Sequence, residues 1–77
     1  MKKEDFYIGQ MLLWQNEDGN STIDMVTELT DYYFKYKTIK IINMAMINYP
    51  GHGKVDFSIQ HSGTWRELTQ LDKIKYL

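Results

Sequence analysis

From Ser21 to Leu29 the chain alternates: Ile23, Met25, Thr27 and Leu29 fall on one set of positions, Asp24, Val26 and Glu28 on the other. A period of two is that of a strand with one dry and one wet face. Tyr32-Tyr33-Phe34-Lys35-Tyr36-Lys37 alternates again and is rich in β-favouring aromatics, so the two segments predict a hairpin with Thr30-Asp31 as a two-residue loop. That register sets Leu29 against Tyr32, Thr27 against Phe34, Met25 against Tyr36 and Asp24 against Lys37. Apolar groups then meet on one face and opposite charges on the other, as cross-strand pairs prefer. Upstream, the apolar run Met11-Leu12-Leu13-Trp14 stops at Gln15-Asn16-Glu17-Asp18-Gly19-Asn20, the clearest turn in the chain.

The phase changes near Thr38: apolar positions are even before it (Phe34, Tyr36) and odd after it (Ile39, Ile41). Strict alternation forbids this without a bulge, bend or break at that point. Ile39 to Ile47 is nearly continuous apolar and reads as a doubly covered strand, a short buried helix being the alternative. Tyr49-Pro50-Gly51-His52-Gly53 is a loop, and Val55, Phe57 and Ile59 alternate with Asp56, Ser58 and Gln60 in a further strand. Thr64 and Glu67 match a capping box, with Trp65, Leu68 and Leu71 at helical spacing, which predicts one or two helical turns there. Lys73-Ile74-Lys75-Tyr76-Leu77 alternates once more and suits a last, edge-located strand. The pattern is that of a mainly β protein.

These elements fit one domain spanning residues 1–77, a length at which only about 60% of the extended surface is buried on folding. With 43% hydrophobic and 25% charged residues the composition is that of a folded chain. There is no cysteine, which removes disulfides and thiolate metal sites. The charged start Met1-Lys2-Lys3-Glu4-Asp5 leads into no apolar signal run, and the 39–47 stretch is far too short for a membrane span, so a soluble, cytoplasmic protein with no membrane partner is the expectation.

Five short strands, a bent middle strand and a helical turn before the last strand resemble a small SH3-like β-barrel, or failing closure a strongly bent antiparallel sheet. Tyr7-Ile8-Gly9-Gln10 is similar to the hydrophobic-Gly-polar entry of such barrels, and Met25-Val26-Thr27-Glu28-Leu29-Thr30-Asp31-Tyr32-Tyr33 to their V-T-E-hydrophobic-turn-Tyr hairpin. Trp65 to Leu77 is similar to their terminal turn and strand. Free-standing proteins of this size and kind resemble those of bacteria and their phages. Fold likeness of this sort implies no function.

Candidate chemistry is sparse. His52 and His61 with Asp56 lack the spacing of a metal site, and no serine sits on a strained elbow beside a base. Glu17-Asp18 lies on an exposed turn, where neither pKa has cause to shift for acid–base work. The expectation is a non-enzyme without cofactor or metal. Six Tyr, three Phe and two Trp exceed what one small core holds, and aromatics left at the surface build binding sites. The favoured reading is a protein-interaction module, an adaptor, inhibitor or assembly subunit, with Trp14, Tyr33, Tyr49 and Trp65 as contacts and Glu17, Asp18 and Asp31 as an acidic rim.

Charge distribution supplies two alternatives. Residues 4–34 carry −7 and residues 35–77 carry +4 within a net charge of −1. A near-neutral chain lacks the basic excess for general nucleic-acid affinity, yet Lys35, Lys37 and Lys40 interleave with Tyr33 and Tyr36 on the bent strand, as in small barrels that bind RNA or DNA. The other alternative is a homo-oligomer pairing through 39–47, with Met44, Met46 and Ile47 in its interface.

Overall fold

Asn16 begins the first reversal of the chain. Its side-chain oxygen accepts from the backbone N–H of Asp18 (3.1 Å) and Asn20 (3.0 Å), and Gly19 supplies a positive φ of 86°. This turn folds β1 (Met11–Gln15) back on β2 (Ser21–Leu29) with Leu13 opposite Ile23 and Trp14 opposite Thr22. The protein is described here by a computed structural model covering residues 1–77.

The second hairpin differs from the sequence-based register. β3 runs over Tyr33–Asn43, and the Thr30 hydroxyl accepts from the N–H of both Tyr32 and Tyr33 at 3.1 Å. The connection is therefore wider than a two-residue loop, and Leu29 faces Phe34 instead of Tyr32. Thr27 is then left over as a bulge between the pairs Val26–Tyr36 and Glu28–Lys35. Neither Thr27–Phe34 nor Met25–Tyr36 nor Asp24–Lys37 is formed; Met25 faces Lys37 and Asp24 faces Thr38. Val26, assigned to the wet face by alternation, is fully buried, and Thr27 is exposed.

The phase change near Thr38 is a second bulge. Asp24 pairs with Thr38 and Ile23 with Lys40, which leaves Ile39 as the extra residue, and a third shift follows between Thr22–Ile41 and Ser21–Asn43. β3 is strand to Asn43, and a loop follows with no helix in it.

β4 (His52–Asp56) pairs with β3, and β5 (Thr64–Glu67) pairs with β1, setting Trp65 against Trp14. Strand β4 is shorter than its alternation suggests, because the Asp56 carboxylate accepts from Ser58 N–H (2.8 Å) and turns the chain before Phe57 and Ile59 can extend it. The single antiparallel sheet has the order β4-β3-β2-β1-β5, so the first and last strands are neighbours.

The last strand and the helical turn exchange places relative to expectation. Thr64–Glu67 is strand, and α1 (Gln70–Tyr76) follows it instead of preceding it. The working capping box lies at Thr69 and Asp72: Asp72 N–H donates to the Thr69 hydroxyl (3.2 Å) and Thr69 N–H to the Asp72 carboxylate (2.8 Å). Cross-strand pairing with Trp14 holds Trp65 extended and overrides the earlier motif.

Both faces of the sheet carry core, which is why Leu12 and Leu13 are both buried although consecutive side chains point to opposite sides. The inner face gathers Leu12, Val26, Phe34 and Val55 around Phe6, whose ring stacks on Phe34 at 4.6 Å. Gln10 fixes that N-terminal segment, donating to Asp5 O (3.0 Å) and accepting from Tyr7 N–H (3.1 Å). On the outer face Leu13, Ile23 and Leu68 pack with Met11, Ile42 and Tyr76. No helix is long and apolar enough to cross a membrane.

On the inner face Tyr36 lies over Gly53, its cross-strand partner, with Trp65 beyond it at 5.0 Å between ring centroids. A Cβ on Gly53 would meet the Tyr36 ring at 2.6–3.0 Å. Gly53→Ala is therefore expected to destabilise the fold by about 1–3 kcal/mol through overpacking, read as the change in midpoint of a denaturant unfolding curve.

Candidate interaction surfaces

The most deeply buried acid is Asp24, at 0% exposure on the inner face of β2. The Thr22 hydroxyl donates to it at 3.1 Å and the Thr38 hydroxyl at 2.6 Å. Thr38 has one proton, so the Tyr49 hydroxyl, 2.6 Å from the Thr38 oxygen, donates in its turn. Hydroxyls alone satisfy this carboxylate, since the ion pairs of the molecule join Lys3 to Asp31, Lys35 to Glu28 and Arg66 to Asp72. Burial pushes the Asp24 pKa above its ordinary value, and the hydrogen bonds from Thr38 and Thr22 offset part of that rise. Lys37, which sequence alternation set against Asp24, lies on the opposite face.

The residues proposed as partner contacts from sequence separate into three places. Trp14 and Trp65 face each other across β1 and β5 with ring centroids 6.2 Å apart, and both are half-buried. Beside them the exposed Glu17 and Asp18 form one wall of a polar depression of about 600 Å³, whose other wall is Gln60 to Thr64. Trp14 Nε1 donates to Ser62 O at 3.3 Å, while Trp65 Nε1 is buried with no acceptor. Asp31 and Tyr33 stand at the far end of β2, where Asp31 pairs with Lys3 at 3.2 Å. Tyr49 is half-buried, its hydroxyl held by Thr38. Glu17, Asp18 and Asp31 thus do not form one acidic rim.

Tyr33 and the lysines of β3 occupy the outer face. The Tyr33 hydroxyl donates to Glu28 at 2.5 Å and Lys54 Nζ sits 4.8 Å above its ring. The hydrogen bond to Glu28 raises the Tyr33 pKa, with burial adding to it. Lys40 donates to Tyr76 O at the end of α1. Tyr36 is on the inner face, so it does not share a surface with Lys35 and Lys37. His52 is the first residue of β4 and His61 lies past the strand's other end, and no group of ligand-type side chains is placed to hold a metal.

The outer side of α1 is a surface that sequence reading missed. Arg66 grips Asp72 with both guanidinium nitrogens, at 2.5 and 3.0 Å, and the Thr69 cap bonds the same carboxylate. The Arg66 hydrogen bonds, followed by the Thr69 backbone bond, hold Asp72 well below the usual carboxylate range. Held by these polar contacts, the helix turns Leu71, Ile74 and Leu77 to solvent at 74%, 73% and 59% exposure. Their i, i+3, i+6 spacing was visible; reading 73–77 as alternating strand concealed it.

A carboxyl whose pKa is raised by folding binds its proton more tightly in the folded state. Its contribution to stability is therefore fully present below the unfolded value near 4 and is lost as pH rises through the folded value. Asp24→Asn removes this loss while keeping an acceptor for the threonines. The variant is expected to melt above the parent at pH 7–8, with the gap closing below about pH 4, as read from thermal unfolding across pH. A parent that melts higher at every pH would contradict the assignment.

Compared with known protein families, curated proteins and solved structures, the chain matches none.

Proposed function

We propose that this chain is a non-catalytic protein-interaction module on an SH3-like small barrel, and that its partner docks on the outer side of α1. The barrel reading is supported by the strand order, in which β1 lies between β2 and β5, and by three register shifts that bend the β2–β3 pair. A non-catalytic role is supported by Asp24, whose carboxylate is closed from solvent and bound by hydroxyls of its own neighbours.

One observation carries the binding reading. A helix of seven residues is anchored by an Arg66–Asp72 clamp, the Lys40–Tyr76 contact and the packing of Tyr76 on the Leu13, Ile23 and Leu68 cluster, while Leu71, Ile74 and Leu77 face outward. A stripe of large apolar groups on a rigid element is the form of a helix-in-groove contact, so the partner is a protein with an apolar groove. A second reading, self-association through β3, has its own observation. Beyond Lys37 no strand covers the outer edge of β3, where Ile39 and Ile41 are exposed at 45% and 51%.

Leu71→Ser with Ile74→Ser tests the first reading without touching the clamp. Both residues are exposed, so the melting temperature should stay within a few degrees of the parent's. A stoichiometric partner retained by the parent from cell extract and lost by the variant is the expected result. Equal capture by both chains would remove α1 as the docking face, and a reversible dimer of the chain alone in sedimentation would favour β3.

A further inference from the structure

The outer face of the sheet is covered by α1 only over β1 and the near part of β2 and β3. Over β3 and β4 it is bare, and there the register sets cations side by side. Lys35 stands directly opposite Lys54, and Lys37 directly opposite His52. The four residues form two adjacent rows of a grid, about 5 Å apart across the strands and about 6.6 Å apart along them. All four are exposed. Like charges directly opposed on neighbouring strands destabilise a sheet, and the contact that Lys54 makes on this face is with the Tyr33 ring, 4.8 Å from its Nζ.

Carboxylates offset the grid only in part. Glu28 reaches Lys35 at 3.8 Å while accepting from Tyr33, and Asp56 is turned to Ser58, with 2.7 and 2.8 Å hydrogen bonds. Lys37 and Lys54 have no acidic partner within ion-pair distance. The same side chains line a shallow depression of about 640 Å³ whose walls include Thr27, Pro50 and Gly51 and no acidic residue.

We infer that this depression is a binding site for the phosphodiester backbone of a single-stranded nucleic acid, held by Lys35, Lys37, His52 and Lys54. The net charge of −1 does not oppose this, because the acidic residues Glu4, Asp5, Glu17 and Asp18 lie outside the grid. Cations spread over two rows suit successive phosphates of an extended strand better than one converging phosphate, whose ligands would point to a common centre. Tyr33 is engaged by Lys54 and Glu28, and Tyr36, which also lines the depression, has its ring packed against Trp65, so recognition is through the backbone, with little preference among bases. The site lies on a different surface from α1 and stands or falls independently of the protein partner.

Fluorescence anisotropy of a short labelled oligothymidylate, titrated with the full chain at several salt concentrations, tests it. The parent should bind saturably, with log affinity falling against log salt at a slope of about −2, near −0.7 for each of three lysines. Lys37→Gln with Lys54→Gln should reduce that slope by about 1.4 and weaken low-salt binding at least about ten-fold. Lys73→Gln with Lys75→Gln, on α1, should bind within about two-fold of the parent. The first pair should melt within a few degrees of the parent, because relief of the Lys35–Lys54 opposition offsets loss of the Lys54–Tyr33 contact, so lost binding reads the site and not the fold. No anisotropy change up to about 100 μM protein, the weak end of non-specific binding, overturns the inference. So does equal binding by the Lys37/Lys54 variant. Displacement by inorganic phosphate at equal phosphate concentration, or by polyglutamate at equal charge, overturns the assignment to a nucleic-acid strand.

Discussion

The pairing of β2 with β3 is the constraint on which the remaining structure depends. It is the longest ladder in the molecule, and it contains all the register shifts of the sheet. Each extra residue exchanges inner and outer positions downstream. With Thr27 bulged, Val26 and Leu29 both reach the inner face, and with Ile39 bulged, Thr38 stays beside Asp24 while Lys40 moves out to α1. A ladder without bulges could not place Phe34 in the core, Thr38 on Asp24 and Lys40 on Tyr76 together.

A chain this small gains limited stability from apolar burial, and its hydrophobic core is eight residues. Polar contacts complete it. The Thr22–Asp24–Thr38–Tyr49 chain ties the loop after β3 to the inner face, and the Arg66–Asp72–Thr69 cluster ties α1 to β5. With Tyr76 packed on the outer-face core, these contacts leave Leu71, Ile74 and Leu77 without a part in holding α1 in place. The outer stripe of α1 and the uncovered part of β3 are the surfaces left available as a result.

Local signals were legible in the sequence, and those resting on register were not. The Asn16–Asn20 turn is closed by its own side chains, and the phase break at Thr38 is written into the order of apolar residues. Alternation identified β2 and β3 as strands and set Phe34 and Tyr36 on the core side, but it misplaced the faces of β2, because the Thr30 hydroxyl sets the loop width and nothing in the pattern marks Thr27 as the leftover residue. The capping-box match at Thr64 yielded to the pairing of Trp65 with Trp14 across 51 residues of chain, and the box that forms is the one at Thr69. The candidate contacts suffered from the same limit: Asp31 and Glu17 share a sign but sit at opposite ends of β2. Lys54 gained meaning only when the ladder set it against Lys35.

The β2–β3 register is open to direct measurement by cross-strand nuclear Overhauser effects in a uniformly labelled sample. The account predicts contacts between the backbone protons of Val26 and Tyr36, of Leu29 and Phe34, and of Lys35 and Lys54, with Thr27 lacking a partner. Contacts from Thr27 to Phe34 and from Asp24 to Lys37 would instead describe a hairpin without the bulge. That result would move the lysines, the buried acid and the core to other faces and contradict the account.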